Sequence, residues 1–179
     1  MGLADDLDYR FRRPNPPQRL VQRAASTKPG AWVFSKVARH FDDAVGRLTS
    51  GRTSAPEVLA GLPVIDVVTT GRKSGLPRRS HLIAVPIDDT LALLGTNFGQ
   101  PSTPAWVLNL EADPHASVTY RRRTVEASAR AATEDEKARV LAGSAQVYGG
   151  YLKYQQRITG RRLRIFLLHP AESSRDDSA

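Results

Sequence analysis

The chain of 179 residues contains no cysteine, a single methionine, two tryptophans and four histidines. Without cysteine there is no disulfide framework, cysteine–zinc site, iron–sulfur cluster or thiol nucleophile, and the fold stands on packing alone. The histidines, His40, His81, His115 and His169, are scattered, with no H-E-x-x-H or paired ligand spacing. That argues against a metal site and an assembled hydrolase triad, and each histidine reads as a surface or strand-end residue. No run of about 18 uninterrupted apolar residues is present, so no membrane-spanning helix is expected. The first twenty residues lack the apolar core of a signal peptide, which makes a cytoplasmic address the default. Acids are in short supply: Lys and Arg number 26 against 18 Asp and Glu, a net charge of +8. A basic chain of this size implies an anionic ligand or partner. With 40% hydrophobic residues the chain is long enough for one compact domain.

Residues 1–30 are rich in Pro, Arg and Gln without an apolar period and read as an extended or disordered arm. Over 31–48, Trp32, Val33, Val37, Phe41, Ala44, Val45 and Leu48 recur at helical spacing, predicting an amphipathic helix. Packing on the main domain accounts for it, and contact with a membrane surface is the alternative. From residue 64 the period changes. β-branched and aliphatic runs predict strands over 64–70, 80–87 and 91–96, the last two joined by a tight turn at Asp88-Asp89. A short helix is expected from Pro104 to Ala112, followed by strands over 115–120 and 124–131 around the charged turn at residues 121–123. Thr133 with Glu136 forms a capping box opening a helix that continues past a weak point at Gly149-Gly150 to Arg157. A last strand is expected over 162–169, and the residues from 173 read as a loose tail. Six strands with short links and a few helices predict a small antiparallel barrel of α+β character, carried by one domain over 31–172. Parallel pairing would need longer crossovers.

Three constellations can carry chemistry. Between the first two strands, Arg72, Lys73, Arg78 and Arg79 with Ser74 and Ser80 surround Gly71 and Gly75. Glycines permit close backbone approach, and cations with hydroxyls supply donors for phosphate or carboxylate oxygens. A solvated basic turn is the plain alternative. Its residue order matches neither a phosphate loop of the G-x-x-x-x-G-K-[ST] type nor a nucleophile elbow. At a strand end, Gly95-Thr96-Asn97-Phe98-Gly99 precedes Trp106 and Asn109, a set able to hold a planar polar ring, or else an ordinary loop beside a core tryptophan. Finally, Tyr148, Tyr151 and Tyr154 fan over one helix side and can wall a flat substrate, or pack with their hydroxyls in solvent.

Taken in order, TTGRKSGLPRR, LLGTNFGQPSTPAWVLNLEADP and the tyrosine run Tyr148–Gln155 resemble the deazaflavin-dependent nitroreductase family of actinobacteria, split-barrel oxidoreductases that use coenzyme F-420. The resemblance spans residues 64–168. It implies an FMN-binding split-barrel-like fold with flanking helices. It also implies hydride transfer from the reduced deazaflavin to an electron-poor small molecule such as a quinone or nitroaromatic. By the same resemblance, Arg72, Lys73, Arg78 and Arg79, helped by Ser74 and Ser80, bind the phosphate and glutamate tail. Thr96, Asn97, Trp106 and Asn109 lie along the ring or its ribityl chain, Leu82 and Ile83 form the ring's edge, and Tyr148, Tyr151 and Tyr154 wall the acceptor pocket. Tyr151 or Tyr154 is the candidate for orienting the acceptor or relaying a proton. The chain departs from the family at Asn97, where relatives often carry lysine, and at His81-Leu82-Ile83, which replaces a proline-aliphatic-aromatic stretch. Two readings compete. FMN in place of F-420 would leave cations to spare, because FMN has one phosphate and no glutamate tail. A basic nucleic-acid-binding barrel would use the same arginines on phosphates, but its stacking aromatics belong on strand faces, so no nucleic acid is expected.

Overall fold

The computed structural model describes residues 2–11, 14–27, 29–30 and 61–171. Six strands, β1 (Val64–Thr70), β2 (Pro77–Ile87), β3 (Thr90–Leu94), β4 (His115–Tyr120), β5 (Arg123–Ala131) and β6 (Ile165–Pro170), close into a barrel in the order β1-β2-β3-β6-β5-β4. Every neighbouring pair is antiparallel. This is the small antiparallel barrel expected from the short links. Asp88-Asp89 and Arg121-Arg122 are two-residue hairpin turns, each opened by a residue in the left-handed region, Asp88 at φ 50 and Arg121 at φ 55.

Alternation along the strands sorts side chains into two cores. Ile65, Val67, Leu91, Leu93, Val118, Ala127, Phe166 and Leu168 share one cluster with Trp106, Val107 and Leu110 of α3 (Ala105–Ala112). Their neighbours Val85, Ala92, Leu94, Ile165 and Leu167 point the other way and meet α4 (Glu134–Val147) and α5 (Gly150–Arg157). β3 and β6 are therefore buried on both faces, which is why they read as unbroken apolar runs. Thr133 caps α4 as expected. Its hydroxyl accepts from the Glu136 N–H, and the Glu136 carboxylate accepts from the Thr133 N–H and from Arg130, which together hold that carboxyl down at about 2.

Several expectations are corrected. Residues 2–11 and 14–27 are no loose arm. α1 (Leu3–Asp6) places Leu3 and Leu7 fully inside the barrel core, each burial worth roughly 1.5–3 kcal/mol, and Tyr9 donates its hydroxyl proton to Ala84 O at 2.7 Å. α2 (Pro16–Ala25) is opened by a capping box between Asn15 and Gln18, with proline at its first positions. β2 starts at Pro77 and not at residue 80, and β3 stops at Leu94 because Gly95 and Thr96 turn into a loop. β6 begins at Ile165, three residues later than expected, because Arg161 and the Arg164 carbonyl bond to the loop after β3. The predicted helix over 31–48 and the tail from 173 lie outside the described residues.

Candidate active site

β2 pairs with β1 from Pro77 to Ile83 and with β3 only from Ala84 onward. Its first half is thus hydrogen-bonded along one edge. The β1–β2 loop and the loop leaving β3 both lie toward the start of β2: register sets the Gly95–Gly99 stretch beside residues 82–83, with the cationic stretch farther along the same strand.

The β1–β2 loop is a tight bend. The Gly71 N–H donates to Leu76 O at 2.9 Å, and the Gly75 N–H returns to Gly71 O at 2.7 Å. Gly75 has φ +66 with open space where a Cβ would stand, so the backbone is reachable from solvent. Arg72, Lys73, Ser74, Arg78 and Arg79 are exposed and Ser80 is half-buried. Arg79 lies 3.7 Å from Asp66, and Arg78 donates to Ser74 Oγ at 3.4 Å. Among the described residues no carboxylate pairs with Arg72 or Lys73 on the loop or with Arg78 at the start of β2.

Asn109 lies behind this loop and not on its outer side. Buried on α3, it accepts from the Arg72 N–H at 3.1 Å and donates to Thr69 Oγ1 at 2.9 Å, pinning the loop to the barrel. Trp106 is 7% exposed and meets Phe166 edge-on at 6.2 Å, so it is a core residue. Both were expected along a ring. α3 turns these two positions inward.

Thr96 is buried and Asn97 half-buried; the Asn97 amide donates to Ser102 O and Oγ, both at 3.0 Å. Gly99, at φ +77, passes so close to α5 that a Cβ would meet Arg157 Cβ at 2.9 Å. Leu82 and Ile83 are half-buried where β2 changes partner.

The tyrosines do come together, though not on one helix. α4 ends at Val147, Tyr148 is extended at φ -151, and its ring folds over Gly150, where a Cβ would lie 2.3 Å from it. Tyr151 donates to Ile83 O at 2.9 Å, satisfying a carbonyl on the half-paired edge of β2. Tyr154 donates to Ala25 O at 3.0 Å, so the Tyr148 hydroxyl, 2.8 Å away, donates to Tyr154. All three are buried, and burial raises each phenol above its ordinary range. They are neutral donors. Phe98 meets the Tyr154 ring at 5.9 Å and ties the wall to the strand-end loop.

Two further sets of contacts have no sequence signal. Residues at the end of α2 close over the tyrosines: Lys153 donates to Ser26 Oγ at 3.0 Å and Arg157 to Ser26 O at 2.9 Å, beside the Tyr154 bond to Ala25. Arg161 grips the strand-end loop through backbone carbonyls. Side chains that bond to carbonyls leave no motif, and the arm composition hid Ser26. Among the described residues no group of three His, Cys, Asp or Glu could hold a metal ion.

A family model described as F-420H(2)-dependent quinone reductase matches residues 38–170. The chain is also similar to a solved F-420-H2 dependent reductase, at 28% identity and TM-score 0.54, covering 59% of this chain and 93% of that one. A solved domain-swapped dimer is 24% identical with TM-score 0.57, over 79% of this chain and 99% of that one, a likeness of fold.

Proposed function

The chain belongs to the F-420H(2)-dependent quinone reductase family, and on that premise we propose that its β1–β2 loop holds the anionic end of coenzyme F-420 while the tyrosine wall receives a quinone-like acceptor. The protein is an oxidoreductase with F-420 as its cofactor. When bound, the reduced deazaflavin supplies a hydride.

The observation that carries the residue assignment is the loop itself. Arg72, Lys73 and Arg78 stand exposed on a bend whose backbone is reachable at Gly75 and anchored by Asn109. Three cations that pair with no carboxylate among the described residues suit a phosphate followed by several carboxylates; one phosphate alone would use fewer of them. Arg79, Ser74 and Ser80 extend the same surface. Leu82, Ile83, Thr96 and Asn97 border the half-paired edge of β2 and supply the flat flank for the ring. Tyr151 and Tyr154 hold their protons at neutral pH and give them to Ile83 O and Ala25 O, so either would donate to an acceptor oxygen by exchanging that backbone bond for it. Excluding water from this wall favours hydride delivery over side reactions. Among the described residues no helix is long and apolar enough to cross a membrane.

Titration of the protein with F-420 and with FMN, followed by cofactor fluorescence, tests the reading. F-420 is expected to bind more tightly than FMN, and Lys73→Ala and Arg78→Ala each to weaken it on the order of ten-fold, the scale of one charge-assisted hydrogen bond. FMN binding that exceeds F-420 binding, or variants that bind F-420 as the wild type does, would remove the tail assignment.

A further inference from the structure

The strand-end loop bends against the preference of its residues. Asn97, Phe98 and Gly99 stand consecutively in the left-handed region, at φ 46, 55 and 77. Asparagine and glycine tolerate this, but phenylalanine has no local hydrogen bond to offset it and stays there only where its surroundings impose it. The imposing group comes from far along the chain. Arg161, between α5 and β6, donates from Nη1 to Gly95 O at 2.9 Å, from Nη2 to Thr96 O at 2.9 Å and Gln100 O at 3.1 Å, and from Nε to Gln100 O at 3.2 Å. One guanidinium thereby joins the entrance of the loop to its exit. A planar fork of donors can span carbonyls at both ends, whereas the single ammonium of a lysine cannot. All its hydrogen bonds among the described residues go to carbonyls, although burial and the nearby Arg164 both act against its charge. A cation kept in such a place shapes backbone.

We infer that Arg161 is a positioning residue for the cofactor ring: by clamping the Gly95, Thr96 and Gln100 carbonyls it fixes where Thr96, Asn97 and Phe98 stand against the half-paired edge of β2. The inference rests on the reading that this flank receives the deazaflavin. It requires Arg161 to act on the ring end of the cofactor and Lys73 on the tail end, so the two contributions are separable by ligand.

The experiment compares two ligands, F-420 and the same deazaflavin with its ribityl chain but no phosphate or glutamate tail. Affinities are read by fluorescence for the wild type, Arg161→Ala, Arg161→Lys and Lys73→Ala, with thermal melting and amide hydrogen exchange on each apoprotein. Arg161→Ala is expected to weaken both ligands by the same factor, ten-fold or more, and to speed exchange in residues 95–100 while β1 stays protected. Lys73→Ala is expected to weaken only the tailed ligand. Arg161→Lys, which keeps the charge and loses the fork, is expected to recover little. Should Arg161→Ala melt with the whole barrel, Arg161→Lys carries the comparison. Unchanged affinity for the tail-less ligand in both variants overturns the inference, as does full recovery with lysine. Failure of the underlying reading shows separately, as a wild-type protein that binds neither ligand.

Discussion

At the scale of single residues, the tyrosine chain couples the site to stability. Tyr148 donates to Tyr154, Tyr154 to Ala25 O and Tyr151 to Ile83 O, and burial raises all three phenols above the ordinary value of 10.0. A raised folded-state pKa means that, above the unfolded value, the native state binds more protons than the unfolded one, so stability must fall as pH rises. Below that value the contribution is fully present. Thermal melting followed with pH is therefore expected to be flat up to about 10, the unperturbed phenol value, and to drop beyond it. Tyr154→Phe removes one titrating group and the bond to Ala25, so its midpoint is expected to start lower and fall less steeply. A variant whose alkaline slope matches the wild type would show that this phenol titrates normally. The same residues explain what a spacing argument could and could not see. Three tyrosines within seven positions are visible in the sequence, but the break at Tyr148 depends on a ring lying over Gly150, a contact at 2.3 Å from a would-be Cβ that no periodicity encodes.

Elements show the same division. β1 and β4 were legible to the residue because a strand with one buried face alternates, while β3 and β6 were legible as strands, because burial on two faces gives an apolar run, but not at their ends. α1 and α2 were not. A helix of one turn, Leu3–Asp6, has no period, and the weight of Leu3 and Leu7 comes from a barrel that folds far away in sequence. The cations around the β1–β2 loop are visible in the sequence as a cluster between glycines, while the inward setting of Asn109 and Trp106 is not, because sequence distance does not say which way a helix faces. α2 now makes a prediction at its own scale. Its last turn covers the tyrosine wall through Ala25 and Ser26, and its start depends on the Asn15 and Gln18 box. Asn15→Ala is expected to cost about 0.5–2 kcal/mol of helix stability. That loss should appear as faster amide exchange over 16–27 and at Tyr154, with β1 unchanged. An exchange pattern confined to the first turn of α2 would mean that the cover is held independently of its cap.

For the whole molecule, the excess of positive charge is distributed unevenly, and its location matters more than its sum. The net charge is +8, and among the described residues two clusters of exposed cations stand at opposite ends of the barrel, one at the β1–β2 loop and the start of β2, the other at the hairpin turn between β4 and β5. Register places them apart: Ala116 pairs with Thr69 beside the loop, whereas Tyr120 pairs with Arg123 at the far turn. At about 3.3 Å per residue, β4 separates the two ends by roughly 20 Å. Screening at physiological salt acts over about 8 Å, so the far turn contributes little to the field felt by an anion held at the loop. Arg122→Ala and Lys73→Ala remove the same charge and leave the same net total. Affinity for F-420 at physiological ionic strength is expected to change less than about two-fold in the first and on the order of ten-fold in the second, with the Lys73 effect shrinking as salt is raised. Equal losses in the two variants would show that the cofactor responds to net charge and not to the loop, and the local assignment of the tail would then have to be given up.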